Sequence, residues 1–136
     1  GGERSALAEQ ARALGIEHNV IFTGFQNTPF NYLATFDAFI LASKSEGLPR
    51  VVLEAMLLNI PVIGSQVTGT AELIDHDSTG LLFPWSDVSQ LAQHLYHILS
   101  YADLRARLVA SAYHHVCHPS AIENYVSGVE AVLGAH

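Results

Sequence analysis

The segment SKSEGLPRVVLEAM, residues 43–56, holds two glutamates separated by seven residues, Glu46 and Glu54. Glu46 sits in a Gly/Pro turn, and Glu54 sits inside a run of valines, leucines, alanine and methionine. A buried, unpaired carboxylate is costly, so Glu54 needs donors. Sugar hydroxyls are suitable, because one carboxylate accepts two of them at once. Pro49 is placed to open a helix, since its missing N–H is not needed in the first turn. The N-terminus of that helix offers free N–H groups and a partial positive charge, which suit a phosphate. Gly47 lets the backbone come close to such a group. With helical rise throughout, Glu46 and Glu54 stand at most about 12 Å apart. That span fits a nucleotide sugar: Glu54 on the ribose, Glu46 on the donor sugar and the helix N-terminus on the diphosphate.

The surrounding elements must deliver these groups to one place. Residues 3–14 carry Leu7, Ala11 and Leu14 at helical spacing, with Gly15 as the stop. Residues 19–22 (NVIF) read as a short β-branched strand. Residues 29–35 read as a short helix. Residues 37–42 (DAFILA) form an apolar run without alternation, as in a strand covered on both faces. A helix from Pro49 to near Asn59 follows, then a strand over 61–64, a helical turn over 70–74 and a strand over 80–83. Residues 87–99 place Val88, Leu91, Leu95 and Leu99 on one helical face. Residues 101–116 and 121–133 read as two more helices, broken by Pro119.

Alternating strands and helices predict an α/β fold with a Rossmann-like parallel sheet and flanking helices. Four short strands are few for such a domain. The chain also opens on a helix behind two glycines. It therefore reads as a partial domain over 1–136, the second half of a larger unit.

Composition excludes several classes. Hydrophobic residues make up 49% and charged residues 14%, so much of the chain is buried. Net charge is −7, from 13 acidic and 6 basic residues, and Lys44 is the only lysine. No basic patch exists for nucleic acid. Cys117 is the sole cysteine, which excludes an intrachain disulfide and a Cys-based zinc framework and fits a reducing cytoplasm. No apolar run approaches the roughly 18 residues of a membrane helix, and no stretch reads as a signal peptide.

The stretch EGLPRVVLE, residues 46–54, resembles the E-x7-E signature of retaining GT-B glycosyltransferases of family 4 (glycosyl transferases group 1). NVIFTG (19–24), DAFILAS (37–43), PVI (61–63), ELI (72–74) and TGLL (79–82) resemble that family's further landmarks, in order. The resemblance implies the C-terminal donor-binding part of such an enzyme, without its acceptor domain and the first part of the donor domain. It implies that Glu46 is catalytic and contacts the donor sugar near the reacting carbon. Glu54 binds ribose hydroxyls, Gly47 and Leu48 approach the diphosphate or sugar, and Thr23, Gly24 and Phe25 lie near the base.

The implied partners are a nucleotide diphosphate sugar as donor and a sugar or lipid-linked acceptor, with no metal and no cofactor. The implied setting is cell-surface polysaccharide or glycolipid synthesis in the cytoplasm. Peripheral association with the inner membrane face would come through the missing N-terminal domain. The fragment alone is expected to be inactive and poorly soluble or self-associated. A GT-B nucleotide-sugar epimerase and a non-catalytic nucleotide-binding α/β module are the alternatives.

Asn59 and Asp77 stand where the family commonly has Gly, and both residue types accept a left-handed conformation. Lys44 and Arg50 read as solvated cations more readily than as phosphate ligands, and Glu72 as a structural residue. His94 and His97 read as surface positions, and Met56 and Trp85 as core or rim packing. His114, Cys117 and His118 are weighed as a metal set and set aside, because Pro119 breaks the helix there and no acid adjoins them.

Overall fold

The computed structural model describes residues 2–24, 29–45, 47 and 49–118. Helix α1 spans Gly2–Ala13 and ends at Gly15, whose φ is 72°. The Ile16 N–H donates to Ala11 O at 2.9 Å and the Gly15 N–H to Arg12 O at 3.0 Å, the paired bonds of a Schellman stop. A 3-10 turn over Glu17–Asn19 follows, and residues 20–24 run on without helix or sheet assignment. The strand expected over 19–22 is therefore not formed. β-branched residues favour a strand only where a neighbour completes the ladder, and Ile21 is instead 84% exposed.

Helix α2 spans Pro29–Leu33 and leads to strand β1, Phe39–Leu41. Helix α3 (Arg50–Leu57) crosses to strand β2 (Val62–Ser65), and the short helix α4 (Thr70–Leu73) leads to strand β3 (Leu81–Phe83). The sheet is parallel in the order β1-β2-β3, with Ile40 opposite Ile63 and Ile63 opposite Leu81. Helices α5 (Val88–Ser100) and α6 (Ala102–Cys117) complete the described chain. The expected helix over 121–133 lies outside the described residues.

β2 is buried at all four positions, as befits the central strand. Its successive side chains enter two separate cores. Val62 joins Val52, Ala55 and Met56 of α3, together with Ala112 and Val116 of α6. Ile63 joins Leu81, Phe83, Ile98 of α5 and Leu108 of α6. Met56 is thus core, as expected, at 1% exposure.

Two loop residues take the left-handed conformation anticipated for them, Asn59 at φ 60° and Asp77 at φ 64°. After α3, the Ile60 N–H donates to Ala55 O at 3.0 Å and the Asn59 N–H to Met56 O at 3.2 Å, so Asn59 fills the place of a C-terminal glycine. At Asp77 a tertiary clamp is added. Arg107 donates from Nη1 to Asp77 O at 2.6 Å and from Nη2 to Oδ1 at 3.1 Å.

Gly80 carries a steric requirement. A Cβ there would lie 2.8 Å from the backbone oxygen of Val62 and 3.0 Å from Ile74 Cγ2. The first contact is with the central strand's main chain, which cannot step aside as a side chain would. Gly80→Ala is expected to destabilise the fold by about 1–3 kcal/mol, the usual range for overpacking. Urea unfolding of the two proteins side by side measures this, and equal midpoints would show that β2 and β3 move apart freely.

Candidate functional site

The register brings Leu41, Ser65 and Phe83 to the same end of the sheet. The chain therefore leaves β1, β2 and β3 side by side at the carboxyl ends of the strands. In an open parallel sheet this is where ligands bind.

The loop after β1 contains the EGLP stretch and runs into α3. Its path is pinned from the neighbouring strand. Ser65, fully buried, donates its hydroxyl to Ser43 O at 2.6 Å, with Leu41 O a second acceptor at 3.3 Å. Sequence reading passed over Ser65, although a polar residue closing a buried apolar strand is a signal that could have found it. Ser65→Ala removes the hydroxyl that holds the loop. A net loss of about 0.5–1.5 kcal/mol in stability is expected, with weaker donor binding. Thermal unfolding and a nucleotide titration read the two effects, and unchanged binding would show that the loop holds its shape without this tether.

Pro49 is the N-cap residue of α3, with ψ 94°, and no side chain caps the helix among the described residues. Pro49 was expected as the helix opener and stands one step outside it instead, since its backbone remains extended. Gly47 is exposed, and nothing lies within 4 Å of where its Cβ would be. A ligand can therefore reach the backbone at this point.

Glu54 lies on α3, four residues beyond its first residue, about 6 Å along the axis. It was expected to be largely buried. Its side chain is 31% exposed, and Oε1 is 3.7 Å from Nε of Arg50, which is itself 77% exposed. The buried stripe of α3 is Val52, Ala55 and Met56, and Glu54 stands at the margin of that stripe. Water can therefore share its solvation. An i,i+4 pair at this distance and exposure holds the carboxylate only weakly, so Glu54 keeps acceptor capacity for other donors.

The remaining expected site residues divide in two. Thr23 and Gly24 stand exposed on the segment after α1, with Gly24 at φ 64°. Phe25, Glu46 and Leu48 lie outside the described residues. The structure thus unites Gly47 and Glu54 in one loop-helix unit and puts Thr23 and Gly24 on a separate stretch of chain.

The histidines correct one expectation. His94 is 8% exposed, not on the surface, and its Nε2 is 3.0 Å from Leu82 O. His76 Nδ1 accepts the Leu82 N–H at 2.9 Å. The two imidazoles thus satisfy both backbone groups of one strand residue. His97 is exposed, as expected. Trp85 occupies the rim, 45% exposed, with Nζ of Lys44 5.3 Å from its ring centroid.

A parallel sheet with an open loop leading into a helix N-terminus places the chain in the Rossmann-like class of α/β protein. Residues 1–115 match the family described as Glycosyl transferases group 1, and the chain belongs to that family. It is 31% identical over 132 residues to the N-acetyl-alpha-D-glucosaminyl L-malate synthase of Bacillus anthracis, covering 97% of this chain and 35% of that protein. It is 32% identical over 110 residues to the lipopolysaccharide core biosynthesis glycosyltransferase LpsD of Rhizobium meliloti, covering 81% of this chain and 32% of that one. The chain therefore spans about a third of the length of these curated relatives. Among solved structures, Anabaena HepE in complex with UDP and glucose superposes with a TM-score of 0.83 at 24% identity, over 97% of this chain and 36% of that one. That likeness concerns the fold, which is of the GT-B type.

Proposed function

We propose that this chain is the nucleotide-sugar-binding part of a longer glycosyltransferase, which transfers a sugar to an acceptor with retention of anomeric configuration. The observation that supports this most is the loop-helix unit itself. The loop at the carboxyl end of β1 is tethered by Ser65, leaves Gly47 open and enters α3 without a side-chain cap among the described residues. A diphosphate fits the helix N-terminus electrostatically, and Glu54, about one turn on, meets among the described residues only the weak pairing with Arg50 at 3.7 Å. Glu46 precedes Gly47 in the sequence and is assigned to the donor sugar. Leu48 joins Gly47 at the diphosphate, and Thr23, Gly24 and Phe25 take the base.

The relatives act in lipopolysaccharide core biosynthesis and in N-acetylglucosaminyl transfer to malate, by their names. A structural neighbour is solved with UDP-glucose. A UDP-hexose donor and a cell-surface saccharide or lipid-linked acceptor are the reading these favour for the whole enzyme. Among the described residues no helix is long and apolar enough to cross a membrane. Action in the cytoplasm, with contact to the inner membrane face made by other parts of the enzyme, agrees with that.

Calorimetric titration of this chain with UDP-glucose, UDP and AMP tests the donor reading. Saturable binding of both uridine ligands, with AMP weaker, is expected. Equal affinity for all three would remove the basis for a dedicated donor site. The chain by itself is expected to release no sugar from the donor, because it spans only a third of its relatives.

A further inference from the structure

Trp85 is the only tryptophan of the chain and Lys44 the only lysine, and the fold brings them together. Lys44 follows the carboxyl end of β1 and Trp85 that of β3, with β2 between them. The Lys44 side chain spans this gap and sets Nζ over the Trp85 ring, 5.3 Å from its centroid. An ammonium so placed is attracted by the negative face of the indole. The ring is therefore occupied by a residue of this chain, and Lys44 is neither a freely solvated cation nor turned away from the fold.

Both partners are fixed from behind. Ser65, at the end of β2, donates its hydroxyl to Ser43 O at 2.6 Å, which holds the backbone immediately before Lys44. On the other side the Gln66 N–H donates to Phe83 O at 2.7 Å and carries the pairing of β2 with β3 up to the Trp85 turn. Within the turn the Asp87 N–H donates to Pro84 O at 2.9 Å, and Asp87 Oδ1 accepts the Gln90 N–H at 3.0 Å, which ties it to α5. Ser86 takes φ 74°, a left-handed value that strains a serine. This anchored, strained turn leaves Trp85 45% exposed, although burying an indole is among the larger gains open to a fold. What the ring holds accounts for its place.

Two consecutive residues are thus gripped, Ser43 by its carbonyl and Lys44 by its ammonium. Gly47 follows three residues later, on the loop assigned above to the diphosphate. We propose that Trp85 is a positioning residue for the donor site. By holding Lys44 it keeps the loop between β1 and α3 in the shape that receives the nucleotide sugar. This rests on the donor reading and adds to it a residue from outside the E-x7-E stretch. It also assigns Lys44 a role through the ring rather than through contact with the diphosphate. Apparent affinity falls with the fraction of molecules whose loop has the receptive shape. Loss of an exposed cation–π contact changes that fraction by about two- to five-fold.

The full chain, Trp85→Ala, Lys44→Met, the double variant and Trp85→Phe are each titrated with UDP-glucose by calorimetry. Each single truncation is expected to weaken binding about two- to five-fold, and the double variant no further than the weaker of the two. Trp85→Phe, whose ring still attracts a cation, should recover most of the affinity. Because each partner is unique in the chain, the contact also has its own signal without ligand. With lysine isotope-labelled, the Lys44 ε-methylene protons lie in the ring current of the indole and should resonate upfield of free lysine, and Trp85→Ala should abolish that displacement. A free-lysine position in the unaltered chain overturns the contact and the proposal. A Lys44→Met effect that persists undiminished in the Trp85→Ala background overturns the positioning role and makes Lys44 a direct ligand of the donor. Unchanged affinity in both single variants, with the upfield signal present, overturns the positioning role and leaves the donor reading standing. No binding of UDP-glucose by the unaltered chain overturns the donor reading and the positioning role with it, and the lysine signal separates that result from a missing contact.

Discussion

Glu46→Gln, made in the longer enzyme proposed to carry this chain, is expected to lower kcat by about 100-fold or more while changing KM little. Positive charge develops at the sugar carbon as its bond to the diphosphate breaks. A carboxylate beside that carbon interacts more strongly in the transition state than in the ground state, so its loss falls on the chemical step. Glutamine has the same shape but none of the charge, which separates this effect from packing. Steady-state kinetics at saturating acceptor read it. A variant that raises KM alone would make Glu46 a binding residue and move the catalytic role elsewhere.

Glu54→Gln is expected to behave differently. On the proposed ribose assignment the carboxylate would accept hydrogen bonds from ribose hydroxyls in both ground and transition states, so its loss should raise KM and leave kcat nearly intact. Bonds to a charged acceptor contribute about 1.5–3 kcal/mol, which corresponds to a rise in KM on the order of 10- to 100-fold. The observed geometry agrees with a binding role. Glu54 is only partly buried and pairs with Arg50 at 3.7 Å, so among the described residues no internal partner competes strongly for it. The same exposure predicts that Glu54→Gln folds with near-normal stability, since no buried charge is lost. A variant whose kcat fell while KM held would contradict the ribose assignment.

What the sequence told, and what it withheld, follows a physical line. Local rules worked where local bonds decide the outcome. Gly15 and Asn59 end their helices with paired Schellman bonds, and Asp87 caps α5 three residues before Gln90. The strand read over 61–64 became the buried centre of the sheet, observed as Val62–Ser65. Tertiary context decided the rest. The stretch 19–22 has strand composition, yet no strand forms there among the described residues. On α5 the apolar pattern pointed to Val88 and Leu99, but these are 73% and 51% exposed, and the buried positions are His94 and Ile98. A histidine can take a core position only because Leu82 O meets its ring nitrogen, and nothing local in the sequence announces that partner. The same holds for Arg107 on Asp77 and for Lys44 on Trp85, which join residues far apart in the chain. For the site, residue types and spacing were enough to mark Gly47 and Glu54 as candidates. The burial of Glu54 was overestimated, because an apolar run on a helix does not say which residue borders solvent.

The loop before α3 and the first turns of that helix are proposed to hold the nucleotide sugar's diphosphate and ribose. Amide chemical-shift mapping of the isotope-labelled chain during a UDP-glucose titration tests it most directly. Saturable shifts centred on Gly47, Arg50 and Val51, extending to Glu54, are expected, with smaller shifts at Thr23 and Gly24. Shifts confined to the far side of the molecule, around His97 and Tyr101 at the end of α5, would contradict it.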